Sequence, residues 1–253
     1  MSRALLDRLG AICGPGGLLT GAQDVQPYLT DWRGVFTGNA LGVARPADTA
    51  AVAACVLACA DAGVAIVPQG GNTGLAAGAT PLDLERAIVL SLSRMRRIRA
   101  LDPAGFTVCV DAGCVLADVQ SAAANGGRYF PLSLAAEGSA QIGGLIATNA
   151  GGTAVIRYGS MRALVLGLEV VLSDGSIADG LRALRKDNAG YDWKQLFIGS
   201  EGTLGVITGA MLRLFARPTH RVTALVGTAT PSDAIAAFGD VQEALGEALV
   251  GCE

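Results

Sequence analysis

Three glycines fall within five positions in Val67-Pro68-Gln69-Gly70-Gly71-Asn72-Thr73-Gly74-Leu75, directly after the apolar run Val64–Val67. An apolar run that ends this way reads as a strand feeding a tight turn whose main chain can come into contact with a ligand. Successive N–H groups in such a turn form a concavity for anions, and a diphosphate is the usual occupant. The patch of small residues continues through Ala76-Ala77-Gly78. No G-x-G-x-x-G opens a helix here and no G-x-x-x-x-G-K-[ST] occurs, so neither of the two commonest phosphate loops fits. A third way of holding a dinucleotide is expected.

Composition narrows the classes. The chain has 253 residues, 51% hydrophobic and only 16% charged, with 35 glycines, which suits one large or two small core-rich units with many turns. A net charge of −3 provides no global field for nucleic acid or an anionic membrane, so an anionic cofactor would need local donors. The longest apolar run, Ala50 to Ala60, is 11 residues, whereas a membrane span needs about 20. The N-terminus meets Asp7 too early for a secretory signal. Six cysteines form no C-x-x-C pair and sit mostly among Ala, Val and Leu, as buried reduced thiols do. These features predict a cytoplasmic protein. With His220 as its single histidine, the chain is not expected to bind a metal.

The pattern divides the chain into residues 1–39, an N-terminal helix (3–13) and a loop-rich lead-in containing Trp32; 40–130 and 131–217, two α/β units; and 218–253, the start of a further, incomplete domain. In the first unit a strand at 41–44 precedes a helix from Thr49 to about Ala62 with Asp48 as N-cap, ended by Gly63. The strand 64–67 then completes a βαβ pattern. Residues 87–92, 96–101 and 106–111 read as strands, and 115–124 as a helix stopped by Asn125-Gly126-Gly127. In the second unit 166–172 and 176–178 form a hairpin around Asp174-Gly175. A strand at 204–215 is interrupted by Gly209, a strand follows at 222–226, and a helix runs from Pro231 nearly to Gly251.

Three blocks carry a family resemblance: Pro68 to Leu75; Gly138-Ser139-x-x-Ile142-Gly143-Gly144 with Thr148-Asn149-Ala150-Gly151-Gly152 and Arg157-Tyr158-Gly159; and Leu184 to Asp192 followed by Gln195 to Thr208. In this order, over about residues 40–217, they resemble the flavin-linked oxidases with the vanillyl-alcohol-oxidase (PCMH)-type FAD-binding domain. The nearest branch is similar to the D-lactate, D-2-hydroxyglutarate and glycolate dehydrogenases. The resemblance implies an α/β (α+β) fold of two subdomains with FAD stretched between them, plus the first βα unit of a truncated substrate domain. It implies oxidation of a small 2-hydroxy acid, with a quinone, a cytochrome or an electron-transfer flavoprotein as the open choice of acceptor.

The implied cofactor set begins with Pro68, Gln69, Gly70, Gly71, Asn72, Thr73, Gly74 and Leu75, whose main-chain N–H groups would hold the diphosphate with help from the Asn72 and Thr73 side chains. Pro131, Leu132, Gly138, Ser139, Ile142, Gly143 and Gly144 would approach from the second unit, at a helix start near Gln141. Thr148, Asn149, Gly152 and Glu201 would line the cofactor farther along, and Gly205, Val206 and Ile207 would meet it through strand backbone. The residues alone argue for Gly70–Gly74 and Gly143–Gly144. Each cluster also has a plainer reading as a turn or helix stop.

Many relatives tether the flavin through a histidine near the first glycine block, or through a tyrosine or cysteine. Here that position reads as Asn72 or a neighbour, and no histidine precedes His220, so noncovalent FAD is expected. Oxidation of a hydroxy acid also needs a base for the hydroxyl proton and cationic or metal partners for the carboxylate. His220 reads as a solvated linker residue. The cluster Arg185, Lys186, Asp187, Asn188 and Tyr191 reads as a solvated loop, or else Lys186 or Asn188 lies close to the flavin ring or guides a substrate carboxylate, and Arg157 and Tyr158 face the same choice. No catalytic residue is assigned. Two alternatives stay open: oxidation of another alcohol, such as an alditol or aldonolactone, and a non-enzymatic cofactor-holding subunit completed by a partner chain.

Overall fold

The computed structural model describes residues 2–84 and 86–253. Its first layer is built on a four-stranded sheet. Helix α1 (Ser2–Cys13) leads to β1 (Leu18–Leu19), then α2 (Ala22–Leu29), β2 (Gly42–Ala44), α3 (Thr49–Asp61), β3 (Ala65–Gln69) and β4 (Ala87–Ser91). The order is β1-β2-β4-β3, with β2 and β3 both parallel to the central β4 and β1 antiparallel at the edge. The Asp48 carboxylate accepts from the Ala51 N–H to cap α3, and Gly63, at φ +60°, ends it in the left-handed region that suits glycine.

Alternation along the strands covers both faces of this sheet. Ala44, Ile88 and Leu90 face the main core with α1 and α3, whereas Val43 and Val89 meet Val25 of α2. Helix α2 lies where the sequence reads as loop. Pro27 removes a main-chain donor inside it and blurs its period, but burial of Val25 holds the helix in place.

The second layer is a five-stranded antiparallel sheet of β5 (Ile98–Asp102), β6 (Thr107–Asp111), β8 (Val165–Val171), β9 (Ile177–Asp179) and β10 (Val206–Arg213), ordered β5-β6-β10-β8-β9. Between β6 and β8 run α4 (Leu116–Asn125), β7 (Arg128–Tyr129), α5 (Ile142–Ala147) and the single turns α6 (Val155–Tyr158) and α7 (Met161–Leu164). The chain thus passes from one sheet to the other between Ser91 and Ile98. The division at 130/131 falls instead among helices within the second layer, because β6, which carries β5 at its edge, pairs with β10, about 100 residues later. Gly209 marks a register shift in β10. A Cβ there would come within 2.9–3.0 Å of the Arg99 guanidinium, so the glycine makes room for that cation.

The single turn α8 (Lys194–Phe197) precedes β10, and β11 (Phe215–Ala216), paired with β7, follows it; α9 (Pro231–Leu245) then carries a Thr230–Asp233 capping box. The expected strand at Val222–Val226 does not form. Val222 is 90% exposed and Leu225 fully so, and a strand without a hydrogen-bonding neighbour has nothing to hold it extended. Helix α9 stops at Leu245, short of the expected Gly251, at Gly246 with φ +51°. No described helix is long and apolar enough to cross a membrane.

Candidate functional site

Strand β3 ends at Gln69, and the chain turns through Gly70–Leu75 beside the start of α5. A cavity of about 460 Å³ lies between them, a size suited to a small-molecule or cofactor site. Among the described residues the N–H groups of Gly71, Asn72, Thr73 and Gly74 make no main-chain hydrogen bond. The Gln69 amide donates to Tyr28 O and Ala79 O at 2.9 and 2.8 Å. The Asn72 amide donates to Thr30 O at 2.8 Å, and Asn72 itself sits at φ +52°. Both side chains therefore shape the turn, and the Asn72 amide tethers it to the lead-in loop. That loop is itself fixed by Asp31, whose carboxylate accepts from Arg33, Val35 and Phe36 N–H groups at 3.2, 2.8 and 2.7 Å.

The glycines do different jobs. A Cβ on Gly71 would lie 2.0 Å from Ser139 O, and one on Gly143 would lie 2.9 Å from Ala112 Cβ, so both allow close backbone packing. Gly74 and Gly144 have nothing within 4 Å of a built Cβ, and both line the cavity, so a side chain there would project into open space. The Gly143 N–H is already bound to Ala112 O at 2.7 Å and is not free for an anion. Helix α5 is only six residues long and its Ile142 N–H is likewise bound, to Cys114 O at 2.9 Å, so its first turn offers neither a long-helix dipole nor a row of free amides.

All of Pro68 to Leu75, with Gly143, Gly144, Thr148, Glu201, Gly205, Val206 and Ile207, line this cavity. Residues more than 120 positions apart in sequence converge there, because β10 lies beside β6 and α5. Glu201, at φ +52°, is held by its N–H to Ala147 O at 2.9 Å. The remaining expected residues are elsewhere. Leu132 and Ile142 are core side chains, Pro131 is buried beside Leu132, the Ser139 carbonyl packs against Gly71, and Gly138 is exposed. Asn149 Oδ1 accepts from Ser160 Oγ and Arg162 N–H, both at 3.0 Å, which commits that side chain to the α6–α7 turn. Gly152, at φ +76°, packs against Ser133 O. Gln141, Ala112, Leu134, Ala136 and Gly202 also line the cavity without having been expected. Short apolar side chains in a glycine-rich sequence give no local sign that they face a ligand.

Behind the wall lies an ion network. Arg99 donates to Asp111 at 2.6 Å and to Glu169 at 2.8 Å, and Arg97 also reaches Asp111, at 3.1 Å. Thr49 and Thr208 hydroxyls donate to the same Glu169 oxygen at 2.7 and 2.9 Å. Burial pushes both carboxyls up, but the hydrogen bonds and charge of Arg99, together with the bonds from Arg97 to Asp111 and from Thr49 and Thr208 to Glu169, outweigh it and hold both below the usual carboxylate range. Asp111 precedes Ala112, whose N–H binds Thr208 O and whose carbonyl takes the Gly143 N–H. The network thus fixes one wall of the cavity. A wider depression of about 750 Å³ over Thr49, Arg97, Arg99 and Glu169 is the outer surface of this network, with both arginines and Glu169 already in ion pairs.

The other candidate groups lie away from the cavity. Tyr191 is 96% exposed, Arg182 pairs with Asp187 at 3.3 Å, and His220 is exposed. Tyr158 is buried edge-on between Tyr129 and Phe215, a packing role. Five cysteines are buried and Cys252 is exposed; burial pushes Cys59 up to about 11 and Cys114 up to about 12. Among the described residues no group of three or more His, Cys, Asp or Glu side chains could hold a metal ion.

The family described as FAD binding domain matches residues 40–180, a span that contains both glycine turns and α5. The chain belongs to this FAD-binding family. Its cofactor is FAD. Among similar proteins, bovine (Bos taurus) mitochondrial D-2-hydroxyglutarate dehydrogenase is 43% identical over 240 residues, 94% of this chain and 44% of that protein. The putative mitochondrial D-lactate dehydrogenase C713.03 of Schizosaccharomyces pombe is 40% identical over 234 residues, 92% of this chain and 44% of that one. The FAD-binding chain thus spans less than half the length of these relatives. Among solved structures, alkyldihydroxyacetonephosphate synthase superposes with a TM-score of 0.82 at 20% identity, covering 96% of this chain and 46% of that one. A Phl p 4 variant described as a glucose dehydrogenase superposes with a TM-score of 0.71 at 20% identity, covering 85% and 44%. The mixed α/β fold is therefore that of the PCMH-type oxidases. The relatives' names also overturn the cytoplasmic expectation, since they place those proteins in mitochondria. Buried reduced thiols mark a reducing compartment without saying which one.

Proposed function

We propose that this chain is the FAD-holding part of a 2-hydroxy-acid dehydrogenase acting on a substrate of the D-2-hydroxyglutarate or D-lactate type. The relatives' names support that substrate class. The observation that carries the cofactor site is the cavity between the two glycine stretches, with unpaired N–H groups at Gly71–Gly74 and open space at Gly74 and Gly144. The residues present fit the group: the turn's amides suit a diphosphate, and Leu92, Leu134 and Leu145 supply apolar wall for a ring. FAD bound there supplies the hydride acceptor for the carbinol carbon. Pro68 to Leu75 would bind and orient it from one side, and Gly144, Thr148 and Gly205 to Ile207 from the other.

Among the described residues no histidine, cysteine or tyrosine lines the cavity, which supports noncovalent binding. Among the described lining residues none is cationic and Glu201 is the one ionisable group, so a substrate carboxylate must find its partner elsewhere. The FAD-holding chain by itself is expected to turn over hydroxy acids poorly. Residues 218–253 fit the beginning of the unit that would complete the site.

Titration with FAD, followed by flavin fluorescence, tests the reading. Wild-type protein should bind and turn yellow, and Gly144→Val should lose about 100-fold or more in affinity while keeping its circular dichroism spectrum. Equal affinity in the two proteins would remove FAD from this cavity. Acid precipitation should release all flavin into the supernatant; flavin retained in the pellet would contradict noncovalent binding.

A further inference from the structure

Gln141, at the start of α5, is 5% exposed and lines the cavity. The other two amides at this wall each donate to the protein, Gln69 to Tyr28 O and Ala79 O, and Asn72 to Thr30 O. Gln141 differs. Its Oε1 is buried and, among the described residues, has no hydrogen-bond partner. It lies against the glycine turn: a Cβ built on Gly70 would be 3.4 Å from Gln141 Cβ and 3.7 Å from Oε1.

An unpaired buried amide oxygen destabilises the folded chain. Methionine has nearly the same length and flexibility and would fill the space without that penalty. Folding of the ligand-free chain therefore gives no reason for an amide here. An amide can turn about its last bond to present either two N–H donors or a carbonyl acceptor. The diphosphate offers acceptors only, and the Gly71–Gly74 amides already answer it. The remainder of a flavin nucleotide carries both donors and acceptors, which is what a side-chain amide matches.

We propose that Gln141 is the side chain that hydrogen-bonds the flavin nucleotide in this cavity, through an amide left unpaired when the site is empty. The proposal rests on the assignment of the cavity to FAD. It gives the residue opposite effects on the empty and loaded protein, which a purely structural residue would not show.

The test is Gln141→Met, measured for FAD affinity by fluorescence titration and for thermal midpoint without FAD. The expected result is an affinity loss of about tenfold or more together with a midpoint raised by about 2–4 °C. Gln141→Leu provides a second variant if methionine does not fold, with the same two expectations. Unchanged FAD affinity, or a lowered midpoint in the empty protein, would overturn the proposal. Failure of the wild type to bind FAD, or of Gly144→Val to lose it, would instead sink the cavity assignment beneath it.

Discussion

The two glycine stretches face the same cavity but leave different things free. In Gly70–Gly74 the main-chain N–H groups point at no protein acceptor, and the Gln69 and Asn72 amides hold the turn in place from behind. In the stretch 138–152 the polar groups are mostly spent: the Gly143 N–H on Ala112 O, the Thr148 hydroxyl on Gly144 O, and the Asn149 amide oxygen on Ser160 and Arg162. The first stretch is a donor surface and the second a packed wall. Glycine content alone does not separate them; the fate of each N–H does.

The largest expected effect tests whether that wall depends on the ion network behind it. Arg99→Met leaves Asp111, whose side chain is fully buried, without its main cationic partner, and Arg97 is 69% exposed and a weak substitute. Urea unfolding should show a loss of about 3–5 kcal/mol. A change within error would mean that the wall stands without the network.

A paired comparison comes next. Gly71→Ala drives a Cβ into Ser139 O and should cost about 3 kcal/mol or more, because neither backbone can move aside cheaply. Gly74→Ala meets open space and should change stability by less than about 0.5 kcal/mol. Equal costs at the two positions would erase the distinction between packing and access within one turn.

The smallest effect is acid sensitivity. Asp111 and Glu169 are held below their ordinary values when folded, so the native state binds fewer protons than the unfolded chain. Their contribution is present at neutral pH and is lost as pH falls through the carboxylate range. The urea midpoint should therefore drop between about pH 5 and pH 3, and the drop should be shallower in Arg99→Met. A midpoint independent of acid in both proteins would show that these pairs contribute nothing.

Local structure was largely readable from residue order. Asp48 before an alanine-rich run with Gly63 after it was enough for α3, and Asp174-Gly175 for the β8–β9 hairpin, because caps and turns depend on neighbours a few positions away. Helix α2 was not readable, since Pro27 breaks its period and the contacts of Val25 with Val43 and Val89 that stabilise it come from distant strands. Val222–Val226 has strand composition but no strand beside it. The glycine turn could be recognised as a place for a ligand.

Residue order determined the βα units, their caps and the two glycine-rich stretches. It could not decide which N–H groups stay unpaired, that Gly209 opens a seat for Arg99, or that Gln141 lies unpartnered against Gly70. Those depend on pairings between β6, β8 and β10 and on the approach of α5 to β3. Hydrogen-bond satisfaction is a property of who ends up adjacent in space, and adjacency at that range is set by packing.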